Sequence, residues 1–441
     1  MSKSLKDFAD QKLDALDAKA QRRHLQNVAR SQGMQLTLLE TKTYAHTGTP
    51  PAQHAATHAG AATKDLSTGA DETNGASGSS EASRANGQNT APQAPTPLIS
   101  FTDNDYLGLS TDPRVIEAAS AATMRYGTGS GASRLVTGNH ALFEAFEEDL
   151  ADFKGCEAAL VFGSGFLANA GTIPALTGEG DLILADSLIH ASLHAGITLS
   201  RAEAVFFPHS DCQWLDAYLT QHRSQYERVL IIVDGVYSMD GDTAPLSGLT
   251  AIAARHDAWL MVDDAHGTGT LGGGRGTAHA FGVAADVPLL IGTLSKAFGG
   301  YGGFLAANRS VIELMKSRAR TFVYTTGLPP GVIAGAHAAL KIMRAEPERC
   351  DRPLALAQRF TSHLGLAPAT SPIVPYILGD EVRALEADAA LRRAGFKVAA
   401  IRPPTVAAGT SRLRFAFSAT HTEADIDRLA GAVSGLGLSP Q

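Results

Sequence analysis

Reactive side chains in this 441-residue sequence follow short apolar runs. Asp263 and His266 come at the end of the apolar run 259–262, and Lys296 comes soon after the run 289–291. An unpaired carboxylate at the end of a buried strand is costly, so Asp263 needs a cation nearby. A lysine beside a buried strand end can lose its proton through desolvation and become a nucleophile. The pattern indicates an acid, an imidazole and an amine in one region.

A protonated pyridine nitrogen is a cation that suits Asp263, and such a pair makes pyridoxal phosphate an electron sink. Residues 163–169 (GSGFLAN) lead into a predicted helix, where glycines and free amides suit a phosphate. Thr293 could donate to the same phosphate, and the flat rings of His190 and His266 could stack on or hydrogen-bond the cofactor. Each signal also has a structural alternative: a solvated turn aspartate, a surface lysine, a structural histidine or an empty glycine-rich turn.

Short apolar runs alternate with helical patterns between about residues 98 and 310, and these elements must position the reactive side chains. Each run is flanked by Gly, Asp or Ser, as expected for buried parallel strands. The runs are 158–162, 182–185, 229–233, 259–262, 289–291 and 304–306. The alternation predicts an α/β fold with a mainly parallel central sheet and helices on both faces. In such sheets ligands bind beyond the carboxyl ends of the strands.

The sequence outside this region predicts an N-terminal segment and a smaller C-terminal domain. Apolar residues at nearly helical spacing (Leu5, Phe8, Leu13 and Leu16) predict an amphipathic helix, and residues 35–39 predict a strand. Residues 46–97 are mostly small or polar, which predicts a disordered insertion. We expect three regions: an N-terminal segment with this insertion (1–110), a large cofactor-binding domain (111–335) and a smaller α+β domain (336–441).

Composition limits the classes of partner. The formal net charge of −7 argues against a broad surface for nucleic acid or anionic membrane, since both need clustered Lys and Arg. Cys156, Cys212 and Cys350 show neither paired nor metal-ligand spacing, so we expect no metal site and a reducing, cytoplasmic setting. The N-terminus lacks the apolar stretch of a secretory signal, and no apolar run is long enough to cross a bilayer. We expect a soluble protein.

Several segments together resemble the α-oxoamine synthases, which belong to the aspartate-aminotransferase-like, fold-type I enzymes that use pyridoxal 5'-phosphate. The resemblance spans the chain from about Leu98 to its end and weakly includes the N-terminal helix. The segments that carry it are 104–109 (NDYLGL), 129–138 (GSGASRLVTG), 186–193 (DSLIHASL), 236–242 (VYSMDGD), 262–269 (VDDAHGTG), 293–299 (TLSKAFG) and 401–414 (IRPPTVAAGTSRLR). Two departures are Ala407-Ala408, where the family usually has a proline, and Asp234, where it commonly has glutamate.

The resemblance implies a role for each matching residue. Lys296 would bind the cofactor covalently, Asp263 would pair with its pyridine nitrogen and His266 would bond its phenolic oxygen. The implied catalytic set is Lys296, His190, Asp263 and His266. Further implied cofactor contacts are the stacking His190, the backbone of Gly165 and Phe166, the phosphate-binding Thr293, and Ser238. Implied substrate contacts are Asn104, His190, Thr405, Arg402 or Arg414 for the amino-acid carboxylate, and Arg22 or Arg23 for the acyl substrate.

Enzymes of this family condense an amino acid with an acyl thioester and release carbon dioxide. Within the family, residues 401–406 most resemble the enzymes of biotin biosynthesis, and that resemblance implies L-alanine and pimeloyl-CoA or pimeloyl-acyl carrier protein as substrates. The family also implies a homodimer, with residues 324–326 contributed to the partner's site. Three alternatives stay open: a sister enzyme (glycine C-acetyltransferase, 5-aminolevulinate synthase or serine palmitoyltransferase), a non-catalytic regulatory paralogue, and an interaction protein acting through residues 46–97.

Overall fold

The computed structural model describes residues 5–18, 25, 27–30, 34–38 and 97–440. Arg22, Arg23 and, apart from Pro97, the predicted insertion lie outside the described residues. The α-helices of the described chain are α1 Leu5–Ala18, α2 Pro113–Tyr126, α3 Ala141–Lys154, α4 Gly165–Leu176, α5 Ala191–Ser200, α6 Cys212–His222, α7 Leu246–Arg255, α8 Thr277–Ala280, α9 Arg309–Arg318, α10 Arg320–Val323, α11 Pro330–Ala345, α12 Pro347–His363, α13 Glu381–Arg393 and α14 Glu423–Ser434. None of these described helices has the length and apolar character needed to cross a membrane.

The strands agree closely with the predicted apolar runs. They are β1 Val28–Arg30, β2 Gln35–Leu38, β3 Leu98–Ser100, β4 Ala158–Phe162, β5 Leu182–Asp186, β6 Glu203–Phe207, β7 Val229–Asp234, β8 Trp259–Asp263, β9 Leu289–Thr293, β10 Gly303–Ala307, β11 Ile373–Gly379, β12 Phe396–Lys397, β13 Ala399–Ile401 and β14 Ser411–Ala416. Strand β6, at the edge of the sheet, was not predicted, although its EAVFF sequence contains the four-residue apolar run 204–207.

A seven-stranded sheet forms the centre of the large α/β region, in the order β4-β10-β9-β8-β7-β5-β6. Its neighbouring strands from β9 to β6 are parallel, which confirms the predicted mainly parallel sheet. The prediction of a parallel strand at 304–306 is wrong, because β10 runs antiparallel to both β4 and β9. The chain returns from β9 to β10 through a short turn, whereas a parallel partner needs a longer crossover connection.

Helices cover both faces of this sheet and bury its strands on both sides. On β7, Ile231 and Val233 pack into one hydrophobic cluster and Leu230 and Ile232 into the other. Alternation of side chains along a strand explains this division. The first cluster includes residues of α3, α7 and α11, and the second includes residues of α4, α5 and α9. Two packed helical layers therefore hold the strand ends in fixed positions.

Two smaller sheets lie outside this central sheet. Strands β11, β14 and β13 form an antiparallel sheet in that order, and β1, β2, β3 and β12 form a mixed sheet. Strand β3 pairs in parallel with β12, and Phe101 packs against Phe396 and Phe417 in a third hydrophobic cluster. The segment after the predicted insertion is thus joined to the C-terminal region. The domain boundaries at 110 and 335 stay a prediction.

Candidate active site

A cavity of about 180 Å³ lies at the carboxyl ends of β7, β8 and β9. These strands are parallel, so the residues that end them meet at one edge of the sheet. A cavity near 150 Å³ holds a single six-membered ring, so this space suits one aromatic ring. Residues identified from the sequence that line the cavity are Gly165, Phe166, His190, Asp263, His266, Thr293 and Lys296.

Asp263 is the last residue of β8 and is buried. Its Oδ2 accepts a hydrogen bond from Nδ2 of Asn169 at 2.6 Å, and its Oδ1 accepts one from the backbone N–H of Ala265 at 3.0 Å. Asp234 ends β7 directly opposite Asp263 in the sheet register. Burial, followed by repulsion from Asp263, raises the pKa of Asp234 well above its usual range. The hydrogen-bond donors at this corner therefore converge on Asp263, while the burial of Asp234 disfavours a second charge there.

Lys296 follows β9 and lines the same cavity as both acids. Burial lowers the pKa of its amine to about 8, although the carboxylates of Asp263 and Asp234 act in the opposite direction. A lysine with this pKa is neutral in a substantial fraction of molecules near neutral pH, whereas an ordinary lysine is almost fully charged. The amine can therefore act as a nucleophile or accept a proton.

Two neutral imidazoles border the cavity. His266 is buried, and the hydroxyl of Tyr106 lies 2.7 Å from its Nδ1. Burial and the charge of Lys296 lower the pKa of His266 well below its usual range. His190 precedes α5, and its Nδ1 lies 2.7 Å from Oγ of Ser192. Partial burial also lowers the pKa of His190, so both flat rings stay uncharged near pH 7.

The start of α4 forms one end of the cavity. Ser164 caps this helix by accepting a hydrogen bond from the N–H of Leu167 at 3.1 Å. The first amides of a helix have no partner within the helix, which leaves those of Gly165 and Phe166 available to an anion. The hydroxyl of Thr293 lies nearby, where it donates to the backbone carbonyl of Gly302 at 2.9 Å and is 2.7 Å from the hydroxyl of Ser295. This end of the cavity has the donors that a phosphate requires.

The described residues fit pyridoxal phosphate. Donors for a phosphate lie at one end of the cavity, the buried carboxyl group of Asp263 lines it, and an amine and two neutral imidazoles border the same space. A pyridine ring with an aldehyde, a phenolic oxygen and a phosphate needs this combination of partners.

Asn104, Ser238 and Arg414 come together beside the cavity. Arg414 lies on β14 and is buried, and its Nη2 donates to Oδ1 of Asn104 at 3.2 Å. Its Nε donates to the backbone carbonyl of Ser238 at 2.5 Å. The hydroxyl of Tyr106 lies 3.3 Å from the same Asn104 oxygen. This chain of contacts links Arg414 to His266 through two intervening side chains.

Arg402 and Thr405 lie apart from this group, in the loop that follows β13. Neither residue lines the cavity. Thr405 is exposed, and Arg402 is half-buried. Within the described ranges, no hydrogen bond or ion pair engages the Arg402 side chain. The structure thus brings Arg414 beside the predicted cofactor site but not Arg402.

Sequence reasoning missed several side chains that contact this site, notably Tyr106, Asn169, Ser192 and Asp234. Asn169 stands four residues after Gly165, so it faces the same side of α4 as the phosphate-binding end. That spacing was a usable signal for Asn169. Tyr106 and Asp234 are polar groups within apolar surroundings, but their partners lie far away in the chain, so their contacts could not be foreseen.

Comparison with known proteins agrees with this geometry. The family model "Aminotransferase class I and II" matches residues 96–433. The 8-amino-7-oxononanoate synthase of Methylocella silvestris is 57% identical over 336 residues, which cover 76% of this chain and 96% of that protein.

Solved structures of two enzymes share the fold. A serine palmitoyltransferase from S. paucimobilis with bound PLP–myriocin aldimine has a TM-score of 0.75 and 33% identity, covering 78% of this chain and 88% of that chain. An 8-amino-7-oxononanoate synthase from Francisella tularensis has a TM-score of 0.66 and 28% identity, covering 77% of this chain and 98% of that chain. These findings confirm the predicted fold class, enzyme class and cofactor. The chain belongs to the class I and II aminotransferase family of pyridoxal-phosphate enzymes.

Proposed function

We propose that this chain acts as an 8-amino-7-oxononanoate synthase, condensing L-alanine with a pimeloyl thioester and releasing carbon dioxide and the free thiol carrier. The 57% identity with the Methylocella silvestris enzyme, over 96% of its length, supports this activity most strongly. The serine palmitoyltransferase above shares the fold at a lower identity of 33%. The single geometric observation that supports the chemistry is that the Lys296 amine and the Asp263 carboxylate line one cavity.

Pyridoxal phosphate, when bound, supplies an electron sink through its protonated ring nitrogen. Asp263 is the proposed acceptor for that ring N–H, because its carboxyl group is buried, lines the cavity and is held by hydrogen bonds from Asn169 and Ala265. Lys296 is the proposed covalent anchor, and its amine, once free, takes the α-proton of alanine. His266 is the proposed donor to the phenolic oxygen. This role requires the imidazole hydrogen on Nε2, with the Tyr106 hydroxyl, 2.7 Å from Nδ1, as the donor to that nitrogen.

The remaining cofactor roles are assigned by whether a residue lines the cavity. His190 is proposed to stack on the ring, and the amides of Gly165 and Phe166 with the Thr293 hydroxyl are proposed to bind the phosphate. Ser238 stands outside the cavity wall, where its backbone carbonyl accepts a hydrogen bond from Arg414. Its proposed part is therefore indirect, since it orients the arginine.

Arg414 is the proposed partner of the alanine carboxylate. A guanidinium has five N–H donors, and the recorded bonds to Asn104 and Ser238 leave others to form a paired interaction with a carboxylate. Asn104 would orient this fork. Arg402 and Thr405 remain candidates for the substrate side, because their loop follows β13, which pairs with β14. Arg22 remains the proposed contact for the acyl substrate.

We also propose that the working form is a homodimer. Tyr324 is 76% exposed, and residues 324–326 do not line the cavity of their own chain. Leu135 and Val136 are also exposed apolar residues, at 54% and 73%. A backbone bridge between Ser133 and Thr326 brings the two segments together, and contiguous exposed apolar residues mark protein interfaces. Segment 324–326 would then complete the site of the partner subunit.

A substrate matrix tests the proposed activity. L-alanine, glycine and L-serine are each assayed for thiol release with pimeloyl, acetyl, succinyl and palmitoyl thioesters, on coenzyme A and on acyl carrier protein where available. We expect alanine with a pimeloyl thioester to exceed every other pair by about tenfold or more, a difference of about 1.4 kcal/mol in barrier. A preference for glycine with an acetyl or succinyl thioester, or serine with a palmitoyl thioester, would instead identify a sister enzyme. Lys296→Ala is the matched inactive control.

A further inference from the structure

Asn169 contacts two residues of the candidate active site, but none of the roles proposed above includes it. It lies on α4 and is 1% exposed. Its Nδ2 is 2.6 Å from Oδ2 of Asp263 and 2.9 Å from Oγ of Ser192. That Ser192 hydroxyl is in turn 2.7 Å from Nδ1 of His190. One buried amide thus joins the acid at the end of β8 to the histidine that precedes α5.

We propose that Asn169 is a positioning residue that holds Asp263 in one orientation and, through Ser192, fixes the ring of His190. The inference rests on the roles proposed for Asp263 and His190. The amide group of Asn169 has two hydrogens, and its two contacts use both of them. Ser192 accepts one of these hydrogens, so its own O–H is free to donate to Nδ1 of His190. This arrangement leaves the imidazole hydrogen of His190 on Nε2.

The unpaired oxygen of Asn169 supports this orientation of the amide. Its Oδ1 is buried, and no donor among the described residues reaches it. The opposite orientation would place Oδ1 against a carboxylate oxygen only 2.6 Å away, which is repulsive. A buried carbonyl without a partner is costly, so a strong interaction must hold the amide in this direction. The charge on Asp263 provides that interaction, since hydrogen bonds to a charged group are the strong ones.

The same contact decides which of two neighbouring acids carries the charge. Asp234 and Asp263 are paired in the sheet register, and two carboxylates this close resist ionising together. Asp263 accepts hydrogen bonds from Asn169 and Ala265, whereas Asp234 accepts one from the backbone N–H of His190 at 3.3 Å. The stronger donors therefore favour charge on Asp263, where the ring nitrogen needs it. The other titratable groups that face this pair are Lys296, His190 and His266 around the cavity and Asp186 at the end of β5.

The test strips the protein of cofactor and measures the dissociation constant for added pyridoxal phosphate, together with the pH dependence of the bound cofactor's visible absorbance. Asn169→Ala should raise the dissociation constant about tenfold and move the absorbance midpoint by about half a pH unit or more, because Asp263 loses a donor. Ser192→Ala should change the dissociation constant only about threefold and leave the midpoint in place, because Asp263 keeps its donor. Thr172→Val is the control, since Thr172 is a buried polar residue of the same helix that does not line the cavity.

A second variant is nearly the same size as the native side chain. Asn169→Asp should bind cofactor more weakly as the pH rises from about 6 to about 9, because the introduced carboxyl ionises against Asp263. A folded Asn169→Ala protein with wild-type affinity and midpoint would overturn the proposal, as would an equal effect of Thr172→Val. If Asn169→Ala does not fold, an Asn169→Asp protein whose affinity varies with pH as that of the wild type does would overturn the proposal. These readouts need no amino acid or thioester, so they remain valid if the substrate matrix contradicts the proposed function.

Discussion

At the scale of single residues, the pKa of Lys296 controls the capture of cofactor. Burial lowers this pKa to about 8, so the neutral amine is the minor form below that pH and the major form above it. We expect the rate of covalent attachment of pyridoxal phosphate to the cofactor-free protein to rise roughly tenfold between about pH 6 and pH 7 and to level off above about pH 8. Stopped-flow absorbance measures this rate. A rate that keeps rising to about pH 10 would mean that Lys296 behaves as an ordinary lysine.

The two neighbouring acids should respond differently to the same substitution. Asp263→Asn removes a buried charge, so we expect kcat/KM for alanine to fall about 100-fold or more. Asp234→Asn replaces a carboxyl group that is already neutral, because its pKa is raised well above its usual range. The amide has nearly the same size, so a loss of less than about fivefold is expected. Steady-state kinetics at saturating cofactor compare the two variants, and equal losses would contradict the assignment of charge.

At the scale of elements, His209 joins the ends of neighbouring segments. Its imidazole lies 3.0 Å from Oδ1 of Asp186, at the end of β5, and 2.8 Å from Oδ2 of Asp242. Hydrogen bonds to Asp186 and then to Asp242 raise its pKa from 6.5 to about 10. The residue is therefore an imidazolium ion in the folded protein at neutral pH. It anchors the segment that carries Ser238, whose carbonyl orients Arg414.

This contact predicts a pH-dependent stability. The pKa of His209 in the folded protein lies above its ordinary value. The stabilisation that its imidazolium contacts add to the free energy of unfolding is therefore fully present below about pH 6.5 and is lost as the pH rises through about 10. We expect the free energy of unfolding of the wild type to exceed that of His209→Gln by on the order of 2 kcal/mol at about pH 6, after allowance for partial exposure. The difference should narrow steadily towards about pH 10. Denaturant titrations at several pH values check this, and a constant difference would exclude the imidazolium contact as its source.

At the scale of the whole molecule, the predicted insertion connects two strands that lie side by side. Strands β2 and β3 are antiparallel, with Leu36 opposite Leu98. A turn of a few residues can join such strands, so replacing residues 44–94 by a short glycine-rich turn should preserve the fold. With a turn of about four residues the connection becomes about fivefold shorter, which should stabilise the protein by about 1.4 kcal/mol, since each halving saves about 0.6 kcal/mol of closure entropy. We expect kcat/KM within about twofold of wild type. Loss of activity in a folded deletion variant would favour a functional role for the segment.

Much of the fold could be predicted because its signals are local. Residues 229–233 are apolar throughout, and a strand buried on both faces needs that pattern. The apolar run 158–162 gives way to glycine and serine at residues 163–165, which is the point where α4 begins. The direction of β10 could not be predicted in this way. An apolar run of three residues has the same appearance in a parallel and an antiparallel strand, and only the short return from β9 decides between them.

The sequence by itself determined the α/β fold, the chemical types present and the strand ends at which Asp263, His266 and Lys296 fall. It could do so because periodicity, turn residues and strand-end position are properties of neighbouring residues. Only the tertiary structure decided that Asp234 lies beside Asp263, that Asn169 contacts both Asp263 and Ser192, and that Arg414 rather than Arg402 lies beside the cavity. Those contacts join residues far apart in the chain, and the packing of helices against the sheet sets the distances between them.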